Sequence, residues 1–159
     1  VYREYFDLGR PSARGSFCLS RLSGTISVEI TFTATRNLQK KGRVLPHGRR
    51  PSHTAVPATI DGNTMFFAAK SAPAAGDDVE SQFRASMEHW RRVLKLAGMG
   101  FENVVSTNVY LKDLDDMPKM TEVFREYFPE SPPVRTTLQV IQEGSREKVR
   151  QEISMIAVR

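Results

Sequence analysis

Apolar and polar positions change period several times along this chain, and each change predicts an element. Residues 55–60 and 65–69 are short apolar runs separated by Asp61-Gly62-Asn63, residues suited to the tight turn of a β-hairpin. From Asp77 the period lengthens. Val79, Phe83, Met87, Trp90, Val93, Leu94 and Ala97 recur at three- and four-residue spacing, which predicts a long amphipathic helix, and Gly98 stands where such a helix ends. Val105, Thr107, Val109 and Leu111 then alternate with Ser106, Asn108 and Tyr110, a strand with one apolar face. Asp115 or Asp116 is placed to cap a second helix, with Pro118 in its first turn and Met117, Met120, Val123, Phe124 and Tyr127 along its inner stripe. Pro129, Pro132 and Pro133 end it. Residues 135–141 and 149–158 predict two closing strands joined across Glu143-Gly144.

The order ββαβαββ predicts a two-layer α+β domain, with a mixed sheet of four or more strands carrying both helices on one face. The opposite face then needs cover, which a closed symmetric oligomer would supply.

A repeat extends this pattern upstream. Val1-Tyr2-Arg3-Glu4-Tyr5-Phe6 returns as Val123-Phe124-Arg125-Glu126-Tyr127-Phe128, Pro11-Ser12-Ala13-Arg14 is answered by Pro132-Pro133-Val134-Arg135, and Val28-Glu29-Ile30 by Gln151-Glu152-Ile153. The first copy lacks what precedes these blocks in the second. We therefore expect residues 1–36 to be the C-terminal half of a first unit, 37–51 a linker, and 52–159 a complete second unit. Residues 1–36 would supply one helical turn and two strands, over 14–22 and 25–35, and would pair with a missing upstream half. The start lacks both an initiator Met and the layout of a signal peptide, so a processed or truncated piece is expected.

Charge changes the picture little. The net charge is +5, yet residues 61–159 hold 13 Lys and Arg against 15 Asp and Glu. The excess sits upstream, chiefly in Lys40, Lys41, Arg43, Arg49 and Arg50 among glycines and prolines, which reads as a basic linker. No aromatic residues interleave these cations as base stacking requires, so no nucleic-acid partner is expected. No apolar run approaches the roughly 18 residues of a membrane span. Cys18 is the only cysteine, so an intramolecular disulfide is impossible and a reducing, cytoplasmic location is expected.

Candidate chemistry narrows to one pair. Across a turn at Glu143-Gly144, Arg135 and Glu152 would be cross-strand neighbours, and Arg14 and Glu29 repeat the pair in the first copy. One reading is a surface ion pair. The other is an Arg whose planar fork binds a carboxylate, beside a Glu that holds a water or shuttles a proton. His47, His53 and His89 lack metal-ligand spacing, and no metal is expected.

Four stretches of the second copy resemble the RidA/YjgF family, the reactive intermediate deaminases. They are Ala97-Gly98 with Val104-Val105, Val109-Tyr110-Leu111-Lys112-Asp113-Leu114, the block from Val123 to Phe128 with Pro133-Val134-Arg135-Thr136-Thr137, and the run Glu152-Ile153-Ser154-Met155-Ile156-Ala157-Val158. The resemblance implies a chorismate-mutase-like domain that forms homotrimers, or a pseudo-hexameric assembly of tandem copies, with ligand clefts between subunits. It implies hydrolysis of enamines and imines such as 2-aminoacrylate to a keto acid and ammonia, without a cofactor. Arg135 would grip the substrate carboxylate and Glu152 position the attacking water, with Thr136, Thr137, Asn108 and Ser52 lining the substrate. The sequence departs from the family pattern at Ala69-Lys70-Ser71, where Ser-Gly-Gln is frequent, at Ser52, where a Tyr is usual, and at Thr137, often a Cys. These departures support the alternative of a non-catalytic ligand-binding or oligomerisation module of the same fold.

Overall fold

The computed structural model describes residues 2–7, 10–19, 22, 24–46 and 55–159. The hairpin read about Asp61-Gly62-Asn63 forms as β2 (Ala58–Asp61) and β3 (Thr64–Phe67). Gly62 supplies the positive φ of 58° that its turn needs. Helix α2 (Val79–Leu96) follows, its N-terminus capped by the Asp78 carboxylate, which accepts from the Ser81 N–H at 2.7 Å. That bond, the largest of several causes, holds the Asp78 carboxyl below its ordinary range. Strand β4 (Val104–Leu111) leads into α3 (Met117–Tyr127), with β5 (Val134–Gln139) and β6 (Gln151–Val158) completing the unit.

The capping of α3 differs from expectation. Asp116 occupies the N-cap but makes no capping hydrogen bond. Its carboxylate instead accepts from Arg150 Nη2 at 2.6 Å, and Asp113 receives the Asp115 N–H of the preceding turn. A guanidinium at hydrogen-bond distance competes with the backbone N–H groups for the same oxygens.

With β1 (Lys41–Val44), six strands form one mixed sheet in the order β1-β2-β3-β6-β4-β5, antiparallel throughout except for the parallel β4–β5 pair. The helices cover one face. Met65 and Phe67 of β3, Val109 and Leu111 of β4, and Ile153, Met155 and Ala157 of β6 are buried there with Phe83, Met87, Trp90, Leu94, Met120 and Phe124 from the helices. The alternation of β3, β4 and β6 thus places these residues on one side. Trp90 anchors the centre: its ring meets Phe67 edge-on at 5.1 Å and its indole N–H donates to the Ile153 carbonyl at 3.3 Å.

Three expectations need correction. The basic stretch is not a plain linker, because Lys41–Val44 forms edge strand β1 against β2. Val44 turns inward while Lys41 and Arg43 face solvent, and an exposed charged edge resists further strand addition. A Cβ at Gly42 would crowd the neighbouring strand, standing 2.9 Å from Ile60 Cγ2. Residues 47–51 of the stretch lie outside the described residues.

Second, no strand forms among the described residues of 14–22 and 25–35. Ile26, Val28, Ile30 and Phe32 are exposed, because no strand among the described residues pairs with them. Tyr2–Tyr5 forms the expected helical turn, α1. Residues 11–19 lie instead across the sheet face opposite the helices. The Ala13 N–H donates to Thr59 Oγ1 at 2.9 Å, the Cys18 carbonyl accepts from the Ile141 N–H at 2.9 Å, and Phe17 stacks on Tyr110 with ring centroids 3.6 Å apart.

Third, the last two strands do not make a hairpin. The connection after β5 carries the chain over the end of β4, where the Val140 N–H donates to the Leu111 carbonyl and the Lys112 N–H to the Arg150 carbonyl. Strand β6 then enters on the far side of β4, between it and β3. Gly144, at φ 58°, is a turn residue as expected. The turn belongs to a crossing loop.

Candidate active site

This crossing decides where the candidate residues stand. Arg135 lies opposite Thr107 on β4, and Glu152 lies opposite Tyr110 on the other edge of the same strand. Positions 107 and 110 differ by an odd number, so the two side chains leave opposite faces of the sheet. Arg135 and Glu152 are not cross-strand neighbours.

Arg135 points to the helical side from the outermost strand. Its guanidinium carbon sits 4.9 Å from the centroid of the Phe124 ring, a cation–π contact supplied by α3. The side chain is half-buried. Burial first, and the charge of Arg125 second, hold its pKa below the ordinary arginine value, although a guanidinium remains charged throughout the physiological range. The groove in which it sits has a volume of about 640 Å³ and walls that include Phe124, Phe128, Pro129 and Pro132. The prolines after α3 therefore do more than end the helix. Thr137 shares this face, two residues along β5.

Glu152 faces the other way and is 4% exposed. Gln142 Nε2 donates to its Oε1 at 3.2 Å, Arg146 forms an ion pair with the same oxygen, and Gln142 Oε1 in turn accepts from Arg146 Nε at 2.9 Å. A buried carboxylate survives only with such partners. Asn108 and Thr136, which are Cα partners across β4 and β5, share this face with Glu152. So does Tyr110, whose pKa is raised by burial and partly offset by a hydrogen bond with Ser154. Lys70 exchanges both backbone hydrogen bonds with Ile153, directly beside Glu152.

Ser52 lies outside the described residues, as do His47 and His53. Arg14 and Glu29 are both exposed, and no strand pairing joins them. The expected site thus divides into an Arg135–Thr137 half and an Asn108–Thr136–Glu152 half. Arg146 and Gln142 escape the sequence reading, since nothing in a loop composition shows that its Gln is buried. Arg125 was legible only as part of the repeated helical block. Among the described residues no group of three or more His, Cys, Asp and Glu gathers to hold a metal, and no helix is long and apolar enough to cross a membrane.

Comparison with known proteins places this geometry. The chain is 38% identical over 85 residues to a RutC family protein of Pyrococcus horikoshii, which covers 50% of this chain and 68% of the relative. It is 31% identical over 104 residues to the 3-aminoacrylate deaminase RutC of Acinetobacter baylyi, covering 61% of this chain and 82% of the relative. A crystal structure from Mycobacterium tuberculosis, of a member of the YjgF/YER057c/UK114 family, superposes with a TM-score of 0.61 at 24% identity, over 65% of this chain and 86% of that one. At that identity it speaks for the fold. The endoribonuclease L-PSP family model matches residues 49–159. With five of the six strands, the two helices that cover the sheet and the motif blocks all inside that span, the chain belongs to the endoribonuclease L-PSP family, that of RidA and YjgF.

Proposed function

We propose that this protein is a hydrolytic deaminase of reactive enamine and imine acids, with the substrate carboxylate on Arg135 and the attacking water on Glu152. The observation that carries this reading is the state of Arg135: a half-buried guanidinium, stacked on Phe124 in a groove, with no carboxylate partner among the described residues. A desolvated cation in such a place binds an anion more tightly than an exposed one does. The likeness to a relative named as a 3-aminoacrylate deaminase supports the reading.

The chemistry needs few groups. An enamine acid takes a proton on carbon to become the imine, and water adds to the imine carbon. Glu152 accepts the water's proton and passes a proton to nitrogen. The C–N bond then breaks with its electron pair on nitrogen while the hydroxyl oxygen forms the carbonyl and gives its proton back to Glu152, releasing ammonia and the 2-oxo acid. Both protein contacts to Glu152 fall on Oε1, which leaves Oε2 for the water. Because Arg135 and Glu152 leave opposite faces of one sheet, each site takes its Arg from one copy and its Glu from the next, in a homotrimer. The substrate is positioned by both before water attacks.

The second reading, a non-catalytic binding or assembly module, is favoured by one observation: Arg146 already neutralises Glu152. Kinetics separate the two. With 2-aminoacrylate or 2-iminobutyrate generated in situ, the wild type should accelerate hydrolysis and Arg135→Ala should lose at least about tenfold. Equal rates for the two proteins, or none for either, would overturn the deaminase reading.

A further inference from the structure

The groove around Arg135 holds a second cation that a small monocarboxylic substrate does not use. Arg125 follows Phe124 on α3 and lines the same groove, and its charge adds to burial, the larger cause, in holding the Arg135 pKa below the ordinary value. Neither guanidinium pairs with a carboxylate among the described residues. Arg84 and Arg91 of α2 behave differently, pairing with Glu126 and Glu88, as does Arg150 just before β6, which binds Asp116. Leaving two like charges together at the mouth of a partly apolar groove costs free energy, and one ligand bearing two negative charges removes that cost.

Size points the same way. A volume of about 640 Å³ falls within the range of about 300–1,000 Å³ that holds ligands well beyond a three-carbon acid. Phe124, Phe128, Pro129 and Pro132 offer a carbon chain an apolar wall between the two cations.

Resting on the deaminase reading for the first carboxylate, we propose that Arg125 is a specificity residue that takes a second carboxylate, so that the preferred substrate class is the imino dicarboxylic acids. Arg135 binds the carboxylate next to the imine carbon, and Arg125 binds the one at the far end of the chain. The reacting bonds are those already described. Arg125 adds affinity and selectivity.

Binding and turnover test this separately. Calorimetry on the full chain compares 2-oxoglutarate with 2-oxobutyrate, stable keto acids that differ in the second carboxylate. The wild type should bind 2-oxoglutarate about tenfold or more tightly, and Arg125→Gln should remove most of that preference while Arg125→Lys keeps part of it. In the kinetic arm, iminosuccinate and 2-iminobutyrate are made in situ by an amino-acid oxidase. The ratio of kcat/KM should favour iminosuccinate in the wild type and collapse in Arg125→Gln, chiefly through KM. Equal affinities for the two keto acids, or a preference that survives Arg125→Gln, would overturn the specificity proposal. The deaminase reading would stand if 2-iminobutyrate were still hydrolysed through Arg135. Preferential 2-oxoglutarate binding without hydrolysis of either imine would sink the deaminase reading and leave the two-cation groove in place.

Discussion

Thr107 and Tyr110, three residues apart on β4, receive Arg135 on one edge and Glu152 on the other. That odd spacing sends the two candidate catalytic side chains to opposite faces of a single sheet. Under the proposed function, a substrate held by Arg135 of one chain would meet the Glu152 of another copy.

This geometry predicts complementation. Arg135→Ala and Glu152→Gln, each inactive alone, should regain activity when mixed under conditions that exchange subunits. In an equal mixture about a quarter of the sites combine an intact Arg with an intact Glu. A mixture no more active than the mean of its two components would show that one chain supplies both groups.

Gln82 predicts where stability is concentrated. This fully buried amide donates to the Gly76 and Lys148 carbonyls at 2.7 and 2.8 Å and accepts from the Arg150 N–H at 2.9 Å. It ties α2 to the start of β6. Gln82→Leu keeps the volume but strands three backbone groups, so urea unfolding should show a loss of about 2–4 kcal/mol. A loss below about 1 kcal/mol would mean that water replaces the amide.

The pH dependence of Tyr127 has a definite sign. Burial first, and its hydrogen bond to Glu88 Oε1 at 3.1 Å second, raise its pKa from 10.0 to about 12. The folded chain keeps this proton while the unfolded chain loses it, so the contribution is complete below about pH 10 and declines as pH rises towards 12. Absorbance titration should show one tyrosine ionising well after an ordinary one. Tyr127→Phe should abolish that late step and flatten the alkaline loss of stability.

Phe17 offers a test of the segment that crosses the open face. Its ring stacks on Tyr110 with centroids 3.6 Å apart, and such a pair adds about 0.5–1.5 kcal/mol beyond its buried area. Phe17→Ala should lower stability by about 1–2 kcal/mol and move the Tyr110 ionisation back towards its ordinary value, since burial is what raises it. An unchanged Tyr110 titration would place Phe17 elsewhere in solution.

Local patterns in the sequence were sufficient for the elements of residues 55–159. The turn at Gly62, the α2 stripe from Val79 to Leu94 and the alternation of β4 from Thr107 to Leu111 each depend on neighbours within a few positions, whereas Val105, read onto the apolar face, is exposed beside a register shift in β4. The motif blocks likewise marked Arg135 and Glu152 as a pair and pointed to the family, because residue identity carries that information without coordinates.

Strand order is different, because it is settled by contacts between segments far apart in sequence. A Gly-containing turn between two β-like runs reads as a hairpin, and only the packed sheet reveals that the loop around Gly144 steps over β4 and inserts β6 beside β3. That step separated Arg135 from Glu152. The same packing recruited Lys41–Val44 as an edge strand, buried Gln142 and Arg146 against Glu152, and left the alternating stretch 25–35 without a partner. Periodicity shows which face of a strand is apolar, whereas tertiary packing decides which strand lies next to it and therefore which side chains can meet.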